Sequence, residues 1–119
     1  MSRIISLING KDSLIAQYKQ LATLPKPQKT FAVYTNIQEI LYRLAHVYAD
    51  MNAFRLAKDV LLFIIEISEK MEKKFSVSQD HIKNSLKRDI ELMVDRFDMY
   101  CVQAYFSKTE TSYLSSEFE

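Results

Sequence analysis

The stretch that decides the fold is LYRLAHVYADMNAFRLAKDVLLFI, residues 41–64. Leu41, Leu44, Ala45 and Tyr48 recur at steps of three and four, as one face of a helix requires. Met51, Asn52 and Ala53 break that pattern, and Asn tolerates the left-handed backbone that a helix exit often needs. Ala57 and Leu61 then resume the helical spacing, and residues 60–65 are apolar without interruption. The reading is two helices joined by a tight turn. Such a pair cannot bury its apolar surface alone. The 60–65 run is apolar on every side of its helix, the pattern of a buried one. Neighbouring helices, or another chain, must cover it.

Outward from this hairpin, Thr35 with Gln38 three residues later forms a capping box, so the second helix is expected over residues 36–50. Tyr34 just before it and Glu39 or Ile40 just after are placed to staple its start. The third helix is expected over residues 54–73. Ser76 or Ser78 caps a fourth, with Asp80 in its first turn. Ile82, Leu86, Ile90, Met93, Phe97, Tyr100 or Cys101, and Ala104 step along that helix as a core stripe. A second stripe joins Leu92, Met99, Val102 and Phe106. Run from residue 79 to 106, the helix would be roughly 42 Å long, against about 35 Å for a compact domain of this size. It therefore kinks or projects, and a projecting end with two stripes suits dimerisation. Towards the N-terminus, Asn9 is read as the cap of a first helix carrying Leu14, Ile15, Tyr18, Leu21 and Ala22, with residues 1–8 as an extended arm or a lead-in. Pro25 ends that helix, and residues 25–30 form the linker. Residues 107–119 are rich in Ser, Thr and Glu and show no helical period. They are read as a flexible tail, or as an acidic-aromatic docking segment.

Composition narrows the class. The chain has 119 residues, one domain's length, with one Gly and two Pro. Turn-rich β folds need more of both, so the expectation is all-α: about four helices, a helical bundle spanning residues 1–106. The net charge of +1, from 16 basic and 15 acidic residues, gives no field to recruit nucleic acid or an anionic membrane. The single cysteine, Cys101, cannot form an internal disulfide. It suits a reducing, cytoplasmic setting, and its place in an apolar stripe reads as core rather than nucleophile. The apolar N-terminal run is shorter than a signal-peptide core and lacks a small-residue cleavage site. No apolar run approaches the ~20 residues needed to span a bilayer.

No catalytic constellation stands out, and the chain is read as a non-enzyme without cofactor or metal. The one glycine, Gly10, cannot build a phosphate loop. His46, Asp50 and Glu39 share a helix face, yet a metal site needs three or four supported ligands, so a polar groove or solvent face is the simpler reading. Glu91, Asp95 and Asp98 line one side of the fourth helix. Such like charges repel modestly and sit comfortably in solvent. They are also a possible contact strip for a basic partner.

Residues 38–71 resemble one tetratricopeptide repeat. Leu41, Leu44, Ala45 and Tyr48 fill the large, Leu, small and Tyr places of its first helix, and Ala57 and Leu61 the small and large places of its second. Leu41 stands where Trp is usual, Asn52 where Gly is common and Ile64 where a small residue is expected, and no Pro closes the unit. No second copy lies on either side. The resemblance implies a hairpin whose first helix faces a ligand groove through Glu39, Tyr42, His46, Ala49 and Asp50. Those residues differ from the Lys and Asn that grip a peptide carboxylate, which favours a basic or mixed partner segment.

The expected function is a small cytoplasmic protein-binding module, an adaptor or chaperone-like protein. It would bind a partner segment in that groove or self-associate as a homodimer through Leu92, Met99, Val102 and Phe106. The alternative is an inhibitor or immunity-type protein that blocks an enzyme through the acidic face Glu91, Asp95 and Asp98.

Overall fold

The computed structural model describes residues 2–94 and 111–118. Helix α1 spans Ser2–Ala22, α2 Phe31–Asp50, α3 Phe54–Phe75, α4 Asp80–Val94 and α5 Tyr113–Glu117. A 3-10 turn at Lys26–Gln28 lies between α1 and α2. The fold is all-α, a helical bundle, with no strand among the described residues. None of the described helices is long and apolar enough to cross a membrane.

Each long helix packs against its neighbours in sequence: α1 on α2, α2 on α3, and α3 on α4. Short connections between consecutive helices favour this arrangement. The α2–α3 contact is the most extensive. All six residues of the repeat-like pattern, Leu41, Leu44, Ala45, Tyr48, Ala57 and Leu61, are buried there. The small side chains at 45 and 57 let neighbouring helices approach, and the larger ones fill the space between turns. The turn is where the sequence puts it. Asn52 takes the left-handed backbone, φ 60°, and Ala53 N donates to Tyr48 O at 2.8 Å to close the hairpin.

Helix α2 begins earlier than the capping box predicts. Thr30 is its cap, with Oγ1 accepting from Val33 N at 3.3 Å, while Thr35 lies inside the helix and donates to Phe31 O. Tertiary contact decides this. Phe31 and Tyr34 both pack edge-on against Phe75 of α3, at 5.5 and 5.6 Å between ring centroids, which rewards an extra helical turn at the start of α2. Gln38, expected in the capping box, is buried instead. Its Nε2 donates to Ser68 Oγ at 2.8 Å and to Gln79 Oε1 at 3.4 Å, tying α2 to α3 and to the start of α4.

Helix α1 also starts early, at Ser2, so Asn9 lies within it rather than at its cap. Nothing at Asn9 or Gly10 stops the ladder, and propagating a helix costs less than nucleating one. The Pro25 linker is held down by Lys74, whose Nζ donates to Lys29 O at 3.2 Å. Ser76 closes α3 in the left-handed conformation rather than opening α4, and Ser78 Oγ accepts from Asp80 N at 3.3 Å. Glu72 joins the two helices. Its carboxylate accepts from Gln79 N and from Lys83 Nζ, each at 2.8 Å. The hydrogen bond from Lys83, then that from the Gln79 amide, holds the Glu72 carboxyl below its ordinary range.

The 60–65 run departs from the all-round burial expected of it. Val60, Leu61, Phe63 and Ile64 are buried and Ile65 half-buried, but Leu62 is 42% exposed. Three sides of α3 face α2, α4 and α5; Leu62 lies on the side those helices leave uncovered. The C-terminal residues differ more. Over residues 111–118, part of the stretch read as a flexible tail, Leu114 and Phe118 sit in the core. Leu114 lies in α5 and Phe118 just past its end in extended backbone, where its ring meets Tyr34 and Phe63.

The buried amide network generates a test. Gln38→Ala takes from Ser68 Oγ and Gln79 Oε1 the donor that Gln38 supplies in the core. It is expected to lower the unfolding free energy by about 1–3 kcal/mol in urea denaturation. A variant as stable as the wild type would remove the network from the account of α2–α3 packing.

Candidate functional site

The helix order leaves two grooves between alternate helices. One lies between α1 and α3 and is filled by residues 111–118. The other lies between α2 and α4, with α3 as its floor, and holds a cavity of about 170 Å³. Its walls are Tyr42, Ala45, His46 and Ala49 of α2 and Asp89, Leu92 and Met93 of α4; Phe54 and Leu61 form the floor.

The chain builds this site from simple spacings. Tyr42, Ala45, His46 and Ala49 step by three or four along α2, and Asp89, Leu92 and Met93 do the same on α4, so each set shares one helix face. The two alanines keep the α2 wall low. Tyr42 and His46 stack edge to face, with ring centroids 4.6 Å apart. Tyr42 Oη donates to Asp89 Oδ2 at 3.0 Å, a clasp between α2 and α4. Partial burial, the hydrogen bond to Asp89 and that carboxylate's charge together raise the Tyr42 pKa. The phenol therefore stays neutral and acts as a donor.

Three of the five residues expected on the groove, Tyr42, His46 and Ala49, line the cavity. Glu39 does not: its Oε1 pairs with Arg43 at 3.0 Å on the exposed surface. Asp50 is exposed at the end of α2, outside the cavity. Of the acidic strip, Glu91 is exposed on α4, while Asp95 and Asp98 lie outside the described residues. Of the expected oligomer face, Leu92 is 66% exposed and stands at the cavity's edge, while Met99, Val102 and Phe106 lie outside the described residues. Cys101 lies outside them too. Asp89 is the residue that sequence reasoning missed. Its place three and four positions before Leu92 and Met93 was a visible signal, but its partner on α2 was not.

The volume is well below the ~300–1,000 Å³ of sites that enclose a drug-sized ligand. Among the described residues no group of three His, Cys, Asp or Glu is gathered to hold a metal ion. A second, more polar depression is lined by Glu69, Glu72, Lys73 and Lys83, where the Glu72–Lys83 pair neutralises itself. What the α2–α4 cavity offers is an apolar floor, an aromatic lip and one polar clasp.

The clasp predicts a pH dependence. The folded state holds the Tyr42 proton more tightly than the unfolded chain does. Its contribution is therefore intact below the ordinary tyrosine range and declines as pH rises through it. Tyr42→Phe is expected to cost about 0.5 kcal/mol at neutral pH, a small value because the group is partly exposed. It should also flatten the alkaline loss of stability measured by urea unfolding. Equal alkaline slopes in the two proteins would count against the clasp.

No family model, curated protein or solved structure matches this chain at a significant level.

Proposed function

We propose that this chain is a protein-binding module that receives an apolar helical stripe along the α2–α4 groove. One observation supports the reading above the rest: Leu92, the first residue of the second apolar stripe on α4, is 66% exposed on the lip of an apolar cavity. A single exposed leucine is ordinary. A leucine beside Tyr42, His46 and Met93, over a floor of Phe54 and Leu61, continues an apolar surface that a partner can cover. Aromatic anchors next to a small pocket are what interface hot spots are made of. Tyr42 and Asp89 engage each other at the site, which suits binding better than catalysis.

The mode is helix-in-groove recognition, as in an adaptor or a chaperone that shields an apolar helix. A second copy of the chain is the partner this proposal commits to, because Leu92 opens a stripe that the sequence continues at Met99, Val102 and Phe106. The single cysteine supports a reducing, cytoplasmic setting.

Size-exclusion chromatography with light scattering tests it. The wild type is expected to approach twice its 14.0 kDa mass as concentration rises, and Leu92→Glu to remain monomeric. A wild type that stays monomeric at every concentration, and binds an apolar dye no better than Leu92→Glu does, would sink the proposal.

A further inference from the structure

The second groove, between α1 and α3, already holds a ligand, and that ligand defines a chemistry. Residues 111–118 lie in it as a bound peptide would. Thr111 Oγ1 donates to Asp59 Oδ2 at 3.2 Å. The Tyr113 and Tyr48 hydroxyls meet at 3.1 Å, and the Tyr113 ring packs edge-on against Tyr18. Tyr18 Oη donates to the Leu114 carbonyl. Leu114 is buried, and four residues on Phe118 is 8% exposed.

The Phe118 socket is the most specific part. Its ring meets Tyr34 of α2 and Phe63 of α3 edge-on, at 5.8 and 5.7 Å between centroids. Two ammonium groups also address it: Lys29 Nζ at 4.5 Å and Lys70 Nζ at 4.8 Å from the centroid. Lys29 is itself 1% exposed, an unusual place for a lysine. In the sequence, Phe118 is flanked on both sides by acids, Glu117 and Glu119. An aromatic ring flanked by carboxylates, seated among buried aromatics and lysines, is a complementary pair in shape and in charge.

From this we infer that the α1–α3 groove is a recognition site for short acidic-aromatic peptide segments, with an aliphatic residue four positions before the aromatic. The chain's own residues 111–118 occupy it as a built-in competitor. This site is separate from the α2–α4 groove, and the inference stands whether or not that groove binds a partner. The cis segment is displaceable. It reaches the body through the short α5 helix, two buried anchors, Leu114 and Phe118, and a few polar contacts. Ordering eight residues of backbone also offsets much of what two buried anchors gain. Covalent attachment holds it in place by raising its local concentration. A partner carrying the same pattern competes with that concentration, so the groove responds to abundant or multivalent partners and ignores dilute ones.

The probe is a fluorescent synthetic peptide of residues 109–119, titrated into full-length protein. Phe118→Ala protein, whose own segment has lost its anchor, is expected to bind the peptide saturably and about tenfold more tightly than wild type. A peptide carrying Phe118→Ala should bind neither protein. A peptide with Glu117→Gln and Glu119→Gln should bind a few-fold more weakly, with less sensitivity to salt. The wild-type chain supplies a measurement that does not depend on how the variant folds. Excess peptide should speed amide hydrogen exchange across residues 111–118 by displacing them, while α2 and α3 keep their protection. Unchanged exchange at saturating peptide, or equal binding by the Phe118→Ala peptide, would overturn the inference.

Discussion

The packing of α2 against α3 sets the position of everything else. Leu41, Leu44 and Tyr48 on one helix and Val60, Leu61 and Ile64 on the other are buried, and Ala45 and Ala57 are small where neighbouring helices must come close. A dense interior transmits this arrangement rather than absorbing it. The Gln38–Ser68 hydrogen bond adds a directional contact to an otherwise non-directional core, so the two helices have one register rather than several that are nearly equal. With that pair fixed, α1 has one exposed flank of α2 to cover and α4 one flank of α3.

Stacking helices in sequence order has a geometric consequence. Alternate helices lie on the same side of the one between them and leave a groove over it. In this chain the two grooves have different chemistry. The α1–α3 groove is lined by aromatic rings and lysines and is filled from within by Tyr113, Leu114 and Phe118. The α2–α4 groove has lower walls, because Ala45 and Ala49 replace bulk with space, and it is bridged by the Tyr42–Asp89 hydrogen bond. The filled groove holds a short segment with an aliphatic anchor, Leu114, inside α5 and an aromatic one, Phe118, in extended backbone just past its end. The same packing rule that completes the core thus leaves a place that the chain's own residues 111–118 fill.

Local sequence signals predicted the hairpin well and the caps poorly. The Asn52 turn, the stripe on α2 and the start of α3 at Phe54 follow from spacing and from the backbone freedom of asparagine, and tertiary contacts agree with them. Thr35 and Asn9 were sound local candidates for helix starts, yet both lie inside helices. A cap is worth about 1 kcal/mol, and Phe31 and Tyr34 packed on Phe75 outweigh it. Leu62 shows the converse. Its neighbours are buried, so the run reads as buried throughout, but the number of helices around α3 decides which side stays wet. At the α2–α4 site, Tyr42, His46, Ala49 and Leu92 were legible as faces of single helices. Asp89 and the floor of Phe54 and Leu61 were not, because a partner across a groove leaves no mark in the spacing of either strip.

By itself, then, the sequence determined that this chain is helical, where its central hairpin turns and which residues form that hairpin's core, because helical period and turn chemistry are properties of neighbouring residues. Only the tertiary structure decided which faces α4 would cover, that Gln38 would work in the interior, and that Leu114 and Phe118 would join the core. Those outcomes depend on residues dozens of positions apart meeting in space, and no local pattern encodes that meeting.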